Sequence, residues 1–160
     1  MIKLLHLILF VSTFMVPAVH SQNSLDFAFV VPEGFKLMEQ SEYRAMYQNN
    51  RGHTFAYNFG KQTIEKENEL DVLVPIYMYT LSLSMDDFEL WAHGKDFVVN
   101  DQNYYWMEYV SSSGENELYH FSYVTTNSKK LITLAFACPI EDADAFAEVV
   151  VDVLSSIEYI

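Results

Sequence analysis

Between positions 129 and 160 the chain carries a strand followed at once by an acid-opened helix, and this pattern leaves few folds open. Residues 131–138 are rich in β-branched and aromatic side chains, which suit a pleated surface. Side chains alternate along a strand, so Ile132, Leu134, Phe136 and Cys138 share one face and Leu131, Thr133, Ala135 and Ala137 the other. Neither face is strongly polar, which places this strand inside a sheet covered on both sides. Pro139 ends it. Glu141, Asp142 and Asp144 then open a helix, where free backbone N–H groups and the helix dipole stabilise negative charge. Ala143, Phe146, Ala147, Val150, Leu154 and Ile157 form one helical stripe, with Val149 and Val151 falling off it. Each large side chain buried there contributes roughly 1.5–3 kcal/mol. This C-terminal helix is expected to be the lid of the sheet.

Upstream, residues 25–31 alternate large apolar side chains at Leu25, Phe27, Phe29 and Val31, the pattern of a first strand ended by Pro32-Glu33-Gly34. Residues 35–38 continue in extended form. Tyr43/Ala45/Tyr47 and His53/Phe55/Tyr57/Phe59 alternate on either side of Asn49-Asn50-Arg51-Gly52, which predicts a hairpin. The polar stretch 61–71 is expected to be a mobile loop. The apolar run 72–83 reads as a strand, with Pro75 marking an edge or a bulge. Ser84 with Asp87 resembles a capping box, so Phe88, Trp91 and Ala92 are assigned to a short helix closed near Gly94. After the turn at 100–103, strands at 104–111, 117–126 and 131–138 follow with short links, which favour antiparallel neighbours.

The residues Phe29-Val30-Val31-Pro32-Glu33-Gly34-Phe35, the segment Ser84-Met85-Asp86-Asp87-Phe88 and the strand–helix unit at 131–157 together resemble the PsbP-like family. The resemblance implies an α+β fold, an antiparallel β-sheet with helices packed on its faces in an α/β/α sandwich. It carries no catalytic residue across. For an exported bacterial chain it implies a small periplasmic protein, and the polar stretch 61–71 is where this chain is expected to depart from its relatives.

Residues 1–21 have the composition of a signal peptide: Lys3, an apolar run to Val16, and a small-residue exit at Pro17-Ala18-Val19-His20-Ser21. The run is too short to be a stable membrane span. Cleavage after Ser21 would leave residues 22–160 as a single α+β domain, with cleavage after Ala18 the alternative. Removing Lys3 leaves 8 basic side chains against 22 acidic ones, a formal charge of −14. That field repels nucleic acids and anionic membranes, so no nucleic-acid partner is expected, and the protein is expected to be periplasmic or secreted. The single cysteine, Cys138, precludes an intrachain disulfide.

Chemistry-bearing motifs are sparse. His53, His93 and His120 lack zinc-ligand spacing and read as structural histidines. Cys138, on an apolar strand face, reads as a small core hydrophobe. No nucleophile elbow, phosphate loop or dinucleotide-binding glycine pattern occurs, and no metal or other cofactor is expected. The unusual feature is aromatic density: Tyr104, Tyr105, Trp106, Tyr109, Tyr119, Phe121 and Tyr123 crowd two neighbouring strands. Cross-strand pairing within the sheet explains much of it. The functional expectation is a binding surface of Tyr105, Trp106 and Tyr109 with Glu108 and Glu117 as its polar edge. An exported, non-catalytic accessory or binding protein recognising a basic protein partner is thereby expected. The alternative is a periplasmic hydrolase built on acidic residues.

Overall fold

The computed structural model describes residues 27–64, 69–127 and 129–159. The expected signal peptide, residues 25 and 26 of the expected first strand, and part of the expected loop at 61–71 lie outside them.

Hydrophobic alternation builds the N-terminal hairpin as expected, while residues 29–31 of the expected first strand lie outside any strand. Strand β1 (Phe27–Ala28) is short, and β2 (Lys36–Gln40), β3 (Arg44–Gln48) and β4 (Thr54–Thr63) form an antiparallel meander. Ala45, Tyr47, Phe55 and Tyr57 point into the core. Strand β4 runs through Thr63, further into the polar stretch than a loop beginning at Lys61 allows.

Two elements then differ from the sequence reading. Residues expected to form a strand at 72–83 lie in helix α1 (Leu70–Ser84), and those expected to open a helix at Ser84 lie in strand β5 (Asp86–Val99). An apolar run with no polar face carries no period, so alternation of Tyr77, Tyr79 and Leu81 was compatible with either element. In the helix, Leu70 and Val74 are buried, with Tyr77, Met78 and Leu81 packed beside them, the i, i+4, i+7, i+8, i+11 spacing of one stripe. Pro75 removes only the bond to the Asp71 carbonyl, and both residues are exposed. In β5 the half-buried positions are Phe88, Leu90, Ala92 and Gly94, then Phe97 and Val99, a period of two that shifts by one residue at Lys95-Asp96. Asp87 and Asp96 adopt positive φ (50° and 81°), at or beside register shifts where β5 departs from its neighbour.

The meander follows: β6 (Gln102–Ser113), β7 (Asn116–Asn127) and β8 (Lys130–Pro139). Asn100 and Asp101 both have φ near 50–60°, the left-handed pair that a tight hairpin turn requires between β5 and β6. The seven-stranded sheet has the order β2-β3-β4-β8-β7-β6-β5, antiparallel throughout, with β8 at its centre. That is where its two apolar faces placed it. A 3-10 turn (Ile140–Asp142) leads to helix α2 (Ala143–Ser155) and β9 (Glu158–Tyr159), which pairs with β1.

Helix α2 is the lid on one face. Phe146, Val150, Val153 and Leu154 are buried on Phe121, Phe136 and their neighbours, and Ile157 is buried with them just past the helix end. Helix α1 covers the other face, over Met107, Tyr109 and Val124. The protein is therefore α+β, an antiparallel sheet with helices on both faces. Among the described residues no helix is long and apolar enough to cross a membrane.

Candidate functional site

Strand alternation separates the five residues expected to share a surface. Tyr105 and Tyr109 face α1, Trp106 and Glu108 face α2, and Glu117 is exposed beside the β6–β7 turn, opposite Ser112. Tyr109 is 1% exposed; its ring stacks on His120 at 4.6 Å and its hydroxyl lies 3.2 Å from Ser122 Oγ. Tyr105 is half-buried, and its hydroxyl donates to the Asp71 carboxylate at the start of α1. Trp106 is half-buried against Gly94. A Cβ on that glycine would stand 2.9 Å from the indole nitrogen, so only glycine admits this approach. Tyr105 lines a cleft of about 530 Å³ beside the start of α1, and Glu108 opens onto a second one beside α2.

That cleft, about 470 Å³, lies between the α2 face of β5–β7 and the opening of α2. Local irregularity positions its most exposed ring. Trp91 falls at the register shift between Leu90 and Ala92, and a bulge of this kind re-aims a side chain. Its indole meets the Tyr119 ring edge-on at 5.3 Å while staying 52% exposed. Phe121 pairs directly with Glu108 across β6–β7, and Tyr119 donates its hydroxyl to Glu108 Oε2 at 2.5 Å. Burial and this carboxylate push the Tyr119 hydroxyl well above its ordinary value, so it stays a donor. Glu141 and Asp144 enter from the opposite wall. Asp144 sits in the first turn of α2, where the helix dipole favours its negative charge. Three carboxylates thus edge an exposed aromatic face. Such a groove suits an ammonium or guanidinium group, held by charge and by the ring quadrupole.

Reasoning from sequence named Glu108 and missed Trp91, which it assigned to a helix. It explained Glu141 and Asp144 as helix-opening acids, which they also are. The period-two burial of Phe88, Leu90 and Ala92 is the signal that would have turned Trp91 outward on a strand.

His53 and His120 have structural partners, and His93 is exposed on β5. His53, 5% exposed, lies 2.8 Å from Asp142 Oδ2, accepts from Asn49 Nδ2 at 3.3 Å, and packs tilted against the Phe146 ring at 4.6 Å. Arg51 donates to the other Asp142 oxygen at 2.5 Å. The hydrogen bond from His53, with the Arg51 charge, holds the Asp142 carboxyl below its usual range. This clamp ties the β3–β4 hairpin to the start of α2, beside a mainly apolar cleft of about 430 Å³. His120 lies 2.8 Å from Ser111 Oγ, and burial pushes its pKa down to about 4. Cys138 is fully buried, and burial raises its thiol to about 12. Among the described residues no three His, Cys, Asp or Glu side chains are grouped to hold a metal ion.

No protein-family model matches the chain, and no curated protein matches it in sequence. Its fold does match solved structures. Cyanobacterial PsbP (CyanoP) from Synechocystis sp. PCC 6803 superposes with a TM-score of 0.66 at 20% identity, covering 84% of this chain and 87% of that one. LpqN, involved in cell envelope biogenesis of Mycobacterium tuberculosis, gives 0.61 at 10% identity over 88% of each chain. The Saccharomyces cerevisiae Ran-binding protein Mog1p gives 0.58 at 10% identity, over 84% of this chain and 90% of that one. The fold is PsbP-like.

Proposed function

We propose that this is an exported, non-catalytic accessory or binding protein of a bacterial envelope, periplasmic or secreted, whose groove at Trp91, Glu108 and Asp144 receives a basic side chain of a protein partner. The groove carries the reading: three carboxylates beside an exposed indole, on a chain of formal charge −13. Charge of this sign speeds encounter with a basic surface, and a desolvated aromatic contact slows escape. Two neighbours of the same fold lend support, one a Ran-binding protein and one involved in envelope biogenesis.

The test is a cross-linking pull-down from the native envelope with wild type, Trp91→Ala and Glu108→Gln, at low and high salt. The expected partner is basic, is lost as salt rises, and is retained by neither variant. Surface charges are screened over ~8 Å at physiological ionic strength, so the salt effect should be steep below that range. A partner held equally by all three proteins would remove the groove from the account. Export is tested separately: the intact mass should begin at Gln22, and retention of Lys3 would refute processing.

A further inference from the structure

The outward face of α1 is apolar from end to end. Val72, Ile76, Tyr79 and Leu83 are 61%, 55%, 65% and 70% exposed, on the side away from buried Leu70 and Val74. Their spacings of four, three and four residues are those of the d and a positions of a heptad, the seam by which one helix interdigitates with another. Nearby hydroxyls make no outside demand. Thr80, Ser82 and Ser84 donate to the carbonyls of Ile76, Tyr79 and Leu81 at 2.9, 2.8 and 3.1 Å. From Val72 to Met85 the sequence holds no Asp, Glu, Lys, Arg or His.

Charge decides between occupants. A basic partner finds no carboxylate on this seam and is drawn to the groove on the opposite face of the sheet. An anionic lipid surface is repelled by a chain of −13, and α1 carries no Lys or Arg to offset that. A second copy presents the same uncharged seam, and the seam is self-complementary when reversed. We propose that two copies associate through α1 against α1, antiparallel, about a two-fold axis between Ile76 and Tyr79. Val72 then meets the partner's Leu83, and Ile76 meets the partner's Tyr79, an isologous contact. The antiparallel sense also keeps the two Asp71 carboxylates at opposite ends of helices about 22 Å long. One helix pair buries less than the ~1,200–2,000 Å² of a stable complex, so the dimer is concentration-dependent. Because each copy carries the same charge, it strengthens as salt rises. The groove partner does the reverse.

Sedimentation equilibrium of the processed protein over a wide concentration range, at low and high salt, tests this. A monomer–dimer equilibrium favoured by salt is expected, and Ile76→Glu should weaken it roughly tenfold or more without moving the urea midpoint. The register has its own readout. Oxidised mixtures of Ile76→Cys and Tyr79→Cys proteins should cross-link to each other several-fold more than like to like, and buried Cys138 does not compete. Monomer at every concentration and salt overturns the proposal, as does like-with-like cross-linking. Flotation of a monomer with phosphatidylcholine vesicles, abolished by Ile76→Glu, would assign the face to lipid instead.

Discussion

The two helices cover the same sheet from opposite sides, yet they are built differently. Helix α2 keeps its large apolar residues on the sheet side and turns Asp144, Glu148 and Asp152 outward, with Val151 the exception. Helix α1 has apolar residues on both sides, and only its inner stripe meets the sheet. Helix α2 is thus a lid with an ionised outer surface. Helix α1 is a layer with an unsatisfied one.

Truncating the α2 side should have the largest effect. Phe146 is 1% exposed among Phe35, His53, Phe121 and Phe136, so Phe146→Ala should cost roughly 3–5 kcal/mol by urea denaturation. The matched change on α1, Tyr79→Ala in the monomer, should stay within about 0.5 kcal/mol, as exposed substitutions do. Equal losses would erase the distinction between the faces.

Acid should separate the faces next. On the α1 side, His120 is held neutral, with its pKa lowered from 6.5 to about 4. The unfolded chain binds its proton first, so the stability contributed is complete above about pH 6.5 and is lost as pH falls towards 4. On the α2 side, Asp142 has a depressed pKa, so its contribution is lost only below the ordinary carboxylate value near 3.8. Urea midpoints measured against pH should therefore fall in two stages. His120→Phe should flatten the upper stage alone. A single fall below pH 4 would place His120 in contact with water.

One substitution should give a gain. Pro75→Ala restores the backbone bond to Asp71 on an exposed helical position, and the looser unfolded chain offsets part of it. A net gain of about 1 kcal/mol in denaturant is expected. A loss would mean that the proline ring itself supports α1.

What was legible in the sequence follows the same contrast. Strand β8 and helix α2 were read correctly because Ile132–Cys138 alternates and Phe146–Ile157 repeats at helical spacing against a polar outer face. Helix α1 and strand β5 were exchanged for each other. Residues 72–83 are apolar at almost every position, so no period distinguishes strand from helix, and tertiary packing makes the choice. In β5, the spacing of Phe88, Trp91 and Ala92 mimics a helical stripe, and the register shift beside Trp91 leaves no mark in composition. The groove was half legible. Glu108 and Tyr119 fall on strands whose pairing short turns dictate, but Asp144 joins them only through the docking of α2.

The central place of β8 has a consequence for the order in which the chain can acquire its structure. Strands β5 to β8 pair with sequence neighbours and can form as local hairpins. The N-terminal hairpins join them only when β4 finds β8, Phe55 opposite Phe136, which closes a chain loop that holds α1 and β5 to β7. Closing that loop comes late and is slow, because its entropy must be lost before any contact compensates. Until residues 130–139 emerge from the ribosome, the first half of the chain has no sheet to join. The two halves of the sheet therefore stay unjoined until residues 130–139 have been made.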